Sequence, residues 1–323
     1  MKKIYIVGAG QLGSRHLQAL KNVKTSLKVK VVDPSKKSLE VAKERYDSME
    51  GPGRHEIEYL EKIAGGGKDI DLAIIATNSN ARRQVVEELL EKSKVKYFIL
   101  EKLLFRKRED HEKIGKLLKK SGSRAWVNCS MRNMPFYAGL RKELKGSQVS
   151  YLVTGSQYGL VTNSIHYIDH AAYLAGDLVY SVDTTGLDRC PIESKRKAFK
   201  ELTGTLNIYF QNGSAATLIC YPTGDAPVQV EIHSDKFRCI SRESEGKAWV
   251  QKASNGWKWA EVEARIPYQS EATANLVDSI FKTGDCPLVS FEDSVKLHLP
   301  LLEALKKHLN QNSKSKIDHY PFT

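Results

Sequence analysis

Gly8, Gly10 and Gly13 form a G-x-G-x-x-G run, Gly8-Ala9-Gly10-Gln11-Leu12-Gly13, between the apolar segment 4–7 and a helix-like segment 12–21. Glycines at this spacing between strand and helix suit the pyrophosphate of a dinucleotide. Gly8 permits a tight turn, Gly10 lets the backbone approach the phosphates, and Gly13 lets helix and strand pack closely. Amides of the helix start, at Gln11 and Leu12, and the helix dipole would hold the anion. Asp33 lies twenty residues after Gly13, at the end of the strand expected over 28–32. A carboxylate there would bond both ribose hydroxyls of an adenosine and repel a 2′-phosphate, which predicts NAD. Lys36 and Lys37 could compensate a phosphate and keep NADP as the alternative.

Further candidates close two other apolar strands, where ligands of such sheets sit. Thr77 and Asn78 follow the fully apolar strand 72–76 and are placed to touch the cofactor. Capping of the next helix is an equal role for Asn78 or Asn80. Glu101 and Lys102 follow the strand 97–100, where Glu101 counts among the cofactor contacts and Lys102 would face the nicotinamide. A lysine has an ordinary pKa of about 10.4. Burial and a cationic nicotinamide would both lower it toward the range useful for acid–base work. By residue type alone, a salt-bridged surface lysine competes with that role.

His166, Asp169 and His170 stand at i, i+3 and i+4 and share one helix face. Two histidines four apart can ligate zinc. No third-ligand motif accompanies them and the glutamate of H-E-x-x-H is missing, so no metal is predicted. Asp169 is expected to orient His166 or to pair with a base, and His170 to pack.

The elements that must position these residues alternate strand and helix over roughly the first 125 positions: strands at 4–7, 28–32, 72–76, 97–100 and 124–128, with helices at 12–21, 35–46, 81–91 and 109–120. That is the pattern of an α/β domain with a doubly wound parallel sheet. Gly51-Pro52-Gly53 and Gly65-Gly66-Gly67 bracket a stretch expected to hold a short amphipathic helix. After 130 the pattern changes. Helices are expected over 135–144 and 164–174, then strands over 203–210, 215–221, 228–233 and 237–241, with a hairpin turn at Asn212-Gly213. Two helices close the chain, 270–282 and 291–309, and Pro300 should kink or split the second. Residues 1–125 therefore read as a Rossmann-type domain, and 126–323 as an α+β domain with a large, mostly antiparallel open sheet.

Taken together, Gly8-x-Gly10-x-x-Gly13-x-Arg15-His16, the Ala76-Thr77 strand end and Glu101-Lys102 resemble the glucose–fructose oxidoreductase / inositol dehydrogenase (Gfo/Idh/MocA) family of NAD(P)-dependent oxidoreductases. The resemblance implies that Lys102 is the catalytic lysine of a Glu-Lys-Pro signature, here with Leu103 in place of the proline. Arg132-x-x-Pro135-x-Tyr137 resembles the segment opening the family's second domain. The family's Asp-x-Gly-x-His-x-x-Asp helix motif is matched by His166 and Asp169, with Thr162 in place of the first Asp and Ser164 in place of the Gly. It implies a substrate pocket in which Lys102 and His166 act on the reacting oxygen, while Thr162 carries no charge near neutral pH. Arg132, Thr162 and Asn163 join Lys102 and His166 as candidate substrate contacts.

Composition narrows the classes further. The 323 residues include 41% apolar and 27% charged positions, which is ordinary globular usage. Fifty basic against 38 acidic residues leave a net charge of +12. The basic runs are not interleaved with aromatics, so a solvated surface with a bias toward anionic ligands is expected rather than a nucleic-acid platform. Five cysteines, an odd number without a C-x-x-C pair, suit free thiols in a reducing cytosol. No apolar run reaches the length of a membrane span and no signal-like segment follows the first residues. Trp249, Trp257 and Trp259 lie in the strand-rich region and could serve either a homodimer or homotetramer interface or the core.

The expectation is thus a cytoplasmic NAD(P)-dependent oxidoreductase acting on a carbinol or carbonyl of a sugar, sugar acid or nucleotide-sugar. The rival is a catalytically silent dinucleotide-binding sensor or assembly protein, favoured by Thr162 and Leu103.

Overall fold

The computed structural model describes residues 1–64 and 69–323, so Gly65-Gly66-Gly67 lies outside the described residues. The chain folds as two compact units, Met1–Asn128 with Pro267–Glu292, and Cys129–Ile266 with Asp293–Thr323.

The first run of elements is β1 (Lys2–Val7), α1 (Gln11–Leu20), β2 (Leu27–Val32), α2 (Lys36–Asp47), β3 (Glu56–Leu60), β4 (Ile70–Ile75), α3 (Ser79–Lys92), β5 (Val95–Leu100), α4 (Arg108–Ser121) and β6 (Arg124–Val127). The second run is α5 (Pro135–Glu143), β7 (Ser150–Ser156), α6 (Leu160–Ala175), β8 (Tyr180–Asp183), β9 (Ile192–Glu193), β10 (Lys200–Glu201), β11 (Gly204–Phe210), β12 (Ala215–Tyr221), β13 (Gln229–His233), β14 (Phe237–Arg242), β15 (Lys247–Lys252) and β16 (Ala260–Glu263). The chain ends with α7 (Gln269–Thr283), β17 (Val289–Ser290) and α8 (Phe291–Gln311).

The first unit holds a seven-stranded sheet in the order β17-β6-β5-β4-β1-β2-β3. All neighbours are parallel except β17, which runs antiparallel to β6. β1 lies between β2 and β4, so strand order reverses beside it. Such a reversal opens the crevice in which open α/β sheets bind ligands. Backbone bonds from Gly8 N to Val32 O (2.8 Å), Ala76 N to Val7 O (2.8 Å) and Glu101 N to Ile75 O (3.0 Å) set the carboxyl ends of β2, β1, β4 and β5 side by side.

The boundary expected near 125 falls at Asn128, and Pro267–Glu292 returns to the first unit. Burial explains the return. Leu276, Val277 and Ile280 of α7 enter the apolar core with Leu17, Leu20 and Val29. Each such side chain contributes about 1.5–3 kcal/mol on burial. The helix expected after Gly53 is instead the strand β3. Its period is two: Ile57 and Tyr59 pack on the core, while Glu56 and Glu58 point outward to Lys28 and Lys30 of β2.

The second unit holds an eight-stranded sheet, β16-β15-β14-β13-β7-β12-β11-β8, and the two-stranded β9–β10 hairpin. Only β7 and β12 pair in parallel. Asn212-Gly213 makes the expected turn between β11 and β12, with Gly213 at φ 85°. Burial alternates along β7 and β12, and α6 packs against β12. α6 begins at Leu160, four residues before the expected 164, because a side chain from β10 caps its first amides, as described below. α8 runs through Pro300 as one helix, so of the expected kink or split the split does not occur. Trp249 is half-buried, whereas Trp257 and Trp259 are exposed. All five cysteines are free, and no helix among the described residues is long and apolar enough to cross a membrane.

Candidate functional site

Gly8 takes φ +96°, and a Cβ on it would meet the Ala76–Thr77 backbone at 2.9 Å. A Cβ on Gly13 would lie 1.7 Å from Gly8 O, so this glycine is required for α1 to sit against the turn. Gly10 differs: a Cβ there meets nothing within 4 Å. The space beside Gly10 is open, and α1 starts next to it with no side-chain cap and no acidic residue in its first turn. Gln11 is exposed and Leu12 partly so, which leaves the helix start accessible. Asp33 stands alongside, its Oδ2 accepting from Ala9 N at 2.7 Å and its Oδ1 from Ser35 N at 2.9 Å. A carboxylate has about four acceptor sites, so two backbone donors leave capacity for ribose hydroxyls. Lys36, a candidate for a 2′-phosphate, lies 3.5 Å from Glu61. Thr77 Oγ1 is buried and has no hydrogen-bond partner among the described residues. The open cradle, the uncapped helix start, the carboxylate and the orphaned hydroxyl fit a dinucleotide.

Asn78 plays the other role open to it. It caps α3, its side chain accepting from Ala81 N at 3.3 Å. Glu101, expected among the cofactor contacts, is a buried brace in the structure. It accepts from His16 Nε2 at 2.9 Å and from Asn128 Nδ2 at 2.6 Å. His16 Nδ1 meets the Thr273 hydroxyl at 2.8 Å, and Gln269 joins Asn128 to Thr273. Burial pushes the Glu101 carboxyl up, yet the hydrogen bond and charge of His16, the Asn128 bond and the Lys102 charge hold it down at about 2. Lys102 follows, half-buried, and its peptide bond to Leu103 is cis. Leu103, Leu104 and Phe105 are buried. The buried guanidinium of Arg82 donates to the carbonyls of Leu103, Leu104 (2.9 Å) and Thr77, tying the loop after β5 to the loop after β4. No sequence signal beyond residue type marks Arg82, Asn128 or the brace role of His16.

In the second unit, Arg132, a candidate substrate contact, pairs with Asp169. Its Nε and Nη2 donate to the two oxygens of Asp169 at 2.8 and 2.6 Å, and its guanidinium lies 5.0 Å from the Tyr173 ring. Asp169 thus pairs with a base, one of its two expected roles. Burial pushes its carboxyl up to about 6, against the pull of the Arg132 charge and hydrogen bonds. His170 packs as expected, fully buried against Tyr137, with Nδ1 3.0 Å from the Tyr151 hydroxyl. His166 is partly exposed on α6. Asn163 spends its amide on Tyr158 O at 2.5 Å.

Thr162 meets a partner that the sequence does not announce. Glu201 Oε1 accepts from Thr162 N at 2.9 Å and from the Thr162 hydroxyl, and its Oε2 accepts from Val161 N at 2.8 Å. Glu201 is buried, and the nearest part of the molecule to it in sequence, the β9–β10 hairpin, carries it there. Thr162, Asn163 and Glu201 line a cavity of about 340 Å³ within this unit.

Residues 2–129 match the model of an oxidoreductase family with an NAD-binding Rossmann fold. The NAD-binding domain is of the Gfo/Idh/MocA type. A search of curated proteins finds no match. Among solved structures, the chain is similar to an oxidoreductase from Agrobacterium radiobacter in complex with NAD+, L-tartaric acid and magnesium, at 15% identity and TM-score 0.70, covering 96% of this chain and 97% of that one. It is similar to a UDP-N-acetylglucosamine 3-dehydrogenase from Acidithiobacillus ferrooxidans at 12% identity and TM-score 0.69, covering 94% and 96%. A super-repressor mutant of Gal80p from Saccharomyces cerevisiae gives 14% identity and TM-score 0.69, covering 97% and 99%. At these identities the likeness concerns the fold.

Against the Gfo/Idh/MocA motifs, Lys102, His166 and Asp169 stand at matching positions and Leu103, Thr162 and Ser164 depart. Two of these departures have a physical counterpart. Arg82 holds the loop at Leu103, and Glu201 brings a carboxylate to the helix start where Thr162 has none.

Proposed function

We propose that the chain is an NAD-dependent oxidoreductase acting on a carbinol or carbonyl carbon of a sugar, sugar acid or nucleotide-sugar. The observation that carries this reading is the open face of Gly10 beside the uncapped start of α1 and the Asp33 carboxylate. The nicotinamide, when bound, accepts or supplies the hydride. In the oxidative direction the substrate carbon loses a hydride and its hydroxyl loses a proton. Lys102 exchanges that proton with the substrate oxygen, and His166 holds or polarises that oxygen. Glu101 and Arg82 act on Lys102 from behind, by fixing the two ends of its loop. Two structural neighbours support a polyhydroxylated substrate, one named as a nucleotide-sugar dehydrogenase and one holding tartaric acid. A homo-oligomer joined through the eight-stranded sheet, with Trp257 and Trp259 exposed in the β15–β16 connection, belongs to the same reading.

A silent dinucleotide sensor is the second reading, favoured by Thr162 in place of a family carboxylate and by a repressor with the same fold. Turnover separates the two. The protein is incubated with NAD and a panel of sugar acids, inositols and nucleotide-sugars, and nicotinamide reduction is followed. General acid–base groups are worth about 10²–10⁴ in rate. Lys102→Ala should therefore lose at least about a hundredfold in turnover while retaining NADH binding. Full turnover in this variant would remove Lys102 from the scheme, and NADH binding without turnover on any substrate would favour the sensor.

A further inference from the structure

The cavity at the start of α6 presents unmet polar capacity of three kinds. Glu201 is 6% exposed and its Oε2 carries one backbone donor, from Val161, leaving room for another. Tyr158 also lines the cavity, and its hydroxyl is buried with no hydrogen-bond partner among the described residues. A buried hydroxyl left so costs about 1–3 kcal/mol, which a ligand acceptor would relieve. Lys195 and Arg196, in the turn of the β9–β10 hairpin, line the same cavity. Among the described residues neither side chain has a hydrogen-bond or ion-pair partner.

A ligand that satisfies all three offers a hydroxyl to donate, an oxygen to accept and a negative charge. Size narrows it further. Ligand pockets run from about 300 to 1,000 Å³, and a cavity of about 340 Å³ is at the small end, suited to one sugar ring rather than a nucleotide-sugar. We propose that this cavity binds a monosaccharide-sized sugar acid, with a hydroxyl donating to Glu201 and the carboxylate held by Lys195 and Arg196. A guanidinium and an ammonium match a carboxylate by charge, and the guanidinium matches it in shape as well. The inference rests on the oxidoreductase reading for the chemistry done to the ligand, but not for the binding itself.

The test uses the full chain loaded with NADH, with cofactor binding measured first so that failure of the dinucleotide site is seen separately. D-glucuronate, D-glucose and D-glucose 1-phosphate are then titrated. D-glucuronate should bind at least tenfold more tightly than either of the others. The double variant Lys195→Ala/Arg196→Ala should lose at least tenfold of the D-glucuronate affinity with NADH binding unchanged, both side chains being exposed and outside the core. Glu201→Gln should weaken D-glucuronate and D-glucose together. Should that variant fail to fold, the double variant alone decides. Absence of D-glucuronate binding to the NADH-loaded protein, preference for the phosphate, or an unchanged affinity in the double variant would overturn the proposal.

Discussion

His16 Nε2 and Glu101 Oε1 meet at 2.9 Å, both side chains sealed from solvent, and so join the first turns of α1 to the end of β5. The phosphate loop and the loop that carries Lys102 are therefore braced on one ion-pair-like contact. Removing one partner of such a pair costs about 3–5 kcal/mol, because the other is left buried without its donor. His16→Ala should lower the unfolding free energy by about that amount, read from urea midpoints at constant slope. An unchanged midpoint would show that Asn128 alone satisfies Glu101.

The same contact sets an acid limb. Glu101 is held at about 2 against an ordinary value of 4.5. A carboxyl depressed on folding contributes stability that is complete above about pH 4.5 and is lost as pH falls toward 2. The difference corresponds to about 3 kcal/mol. Acid unfolding of the His16→Ala protein should begin at a higher pH than that of the parent.

Asp169 works in the opposite sense. Burial raises it to about 6 from 3.8, despite Arg132. The folded state then holds a proton that the unfolded chain has released, so stability falls as pH rises from about 4 to 6, by about 3 kcal/mol at most. Asp169→Asn removes the ionisation and should flatten that descent, whatever it does to stability at one pH. The same descent in the variant would assign it to other groups.

Two glycines of one loop should respond differently to alanine. Gly13→Ala places a Cβ 1.7 Å from Gly8 O and should destabilise the fold. Gly10→Ala meets nothing within 4 Å, so its stability should stay within about 0.5 kcal/mol of the parent. Its NADH affinity should nonetheless fall at least about tenfold, since the Cβ occupies the approach of the phosphates. Equal NADH affinity in Gly10→Ala and the parent would place the pyrophosphate elsewhere.

Asp33→Ala should weaken NADH by about tenfold to a hundredfold, the worth of charge-assisted bonds to the ribose. NADPH should be weakened less, because the repulsion of a 2′-phosphate goes with the carboxylate. Parallel losses for both cofactors would indicate that Asp33 matters only through its bond to Ala9 N.

What was legible in the sequence is what local chemistry dictates. Gly8, Gly10, Gly13 and Asp33 could be placed because strand, turn and helix follow one another directly. Partners that lie far along the chain were not legible. Arg132 gave no sign of its pairing with Asp169, thirty-seven positions away. Glu101 gave no sign of His16 and Asn128, which reach it from other elements. Glu201 carried no signal at all, since a two-residue strand pairing places it against the start of α6. β3 was read as a helix because five residues do not separate a period of two from one of 3.6 until the paired Lys28 and Lys30 are known. Pro300 was expected to kink or split α8, and packing of Leu297, Leu301 and Leu305, all fully buried, carries one helix through it.

The most direct test of the central claim is calorimetric titration of the folded, cofactor-free protein with NADH and, separately, NADPH. Binding of NADH more tightly than NADPH is the predicted result, with the Asp33 carboxylate as the discriminating group. Binding of neither would mean that the open face of Gly10 is not a dinucleotide site, and would contradict the oxidoreductase reading at its base.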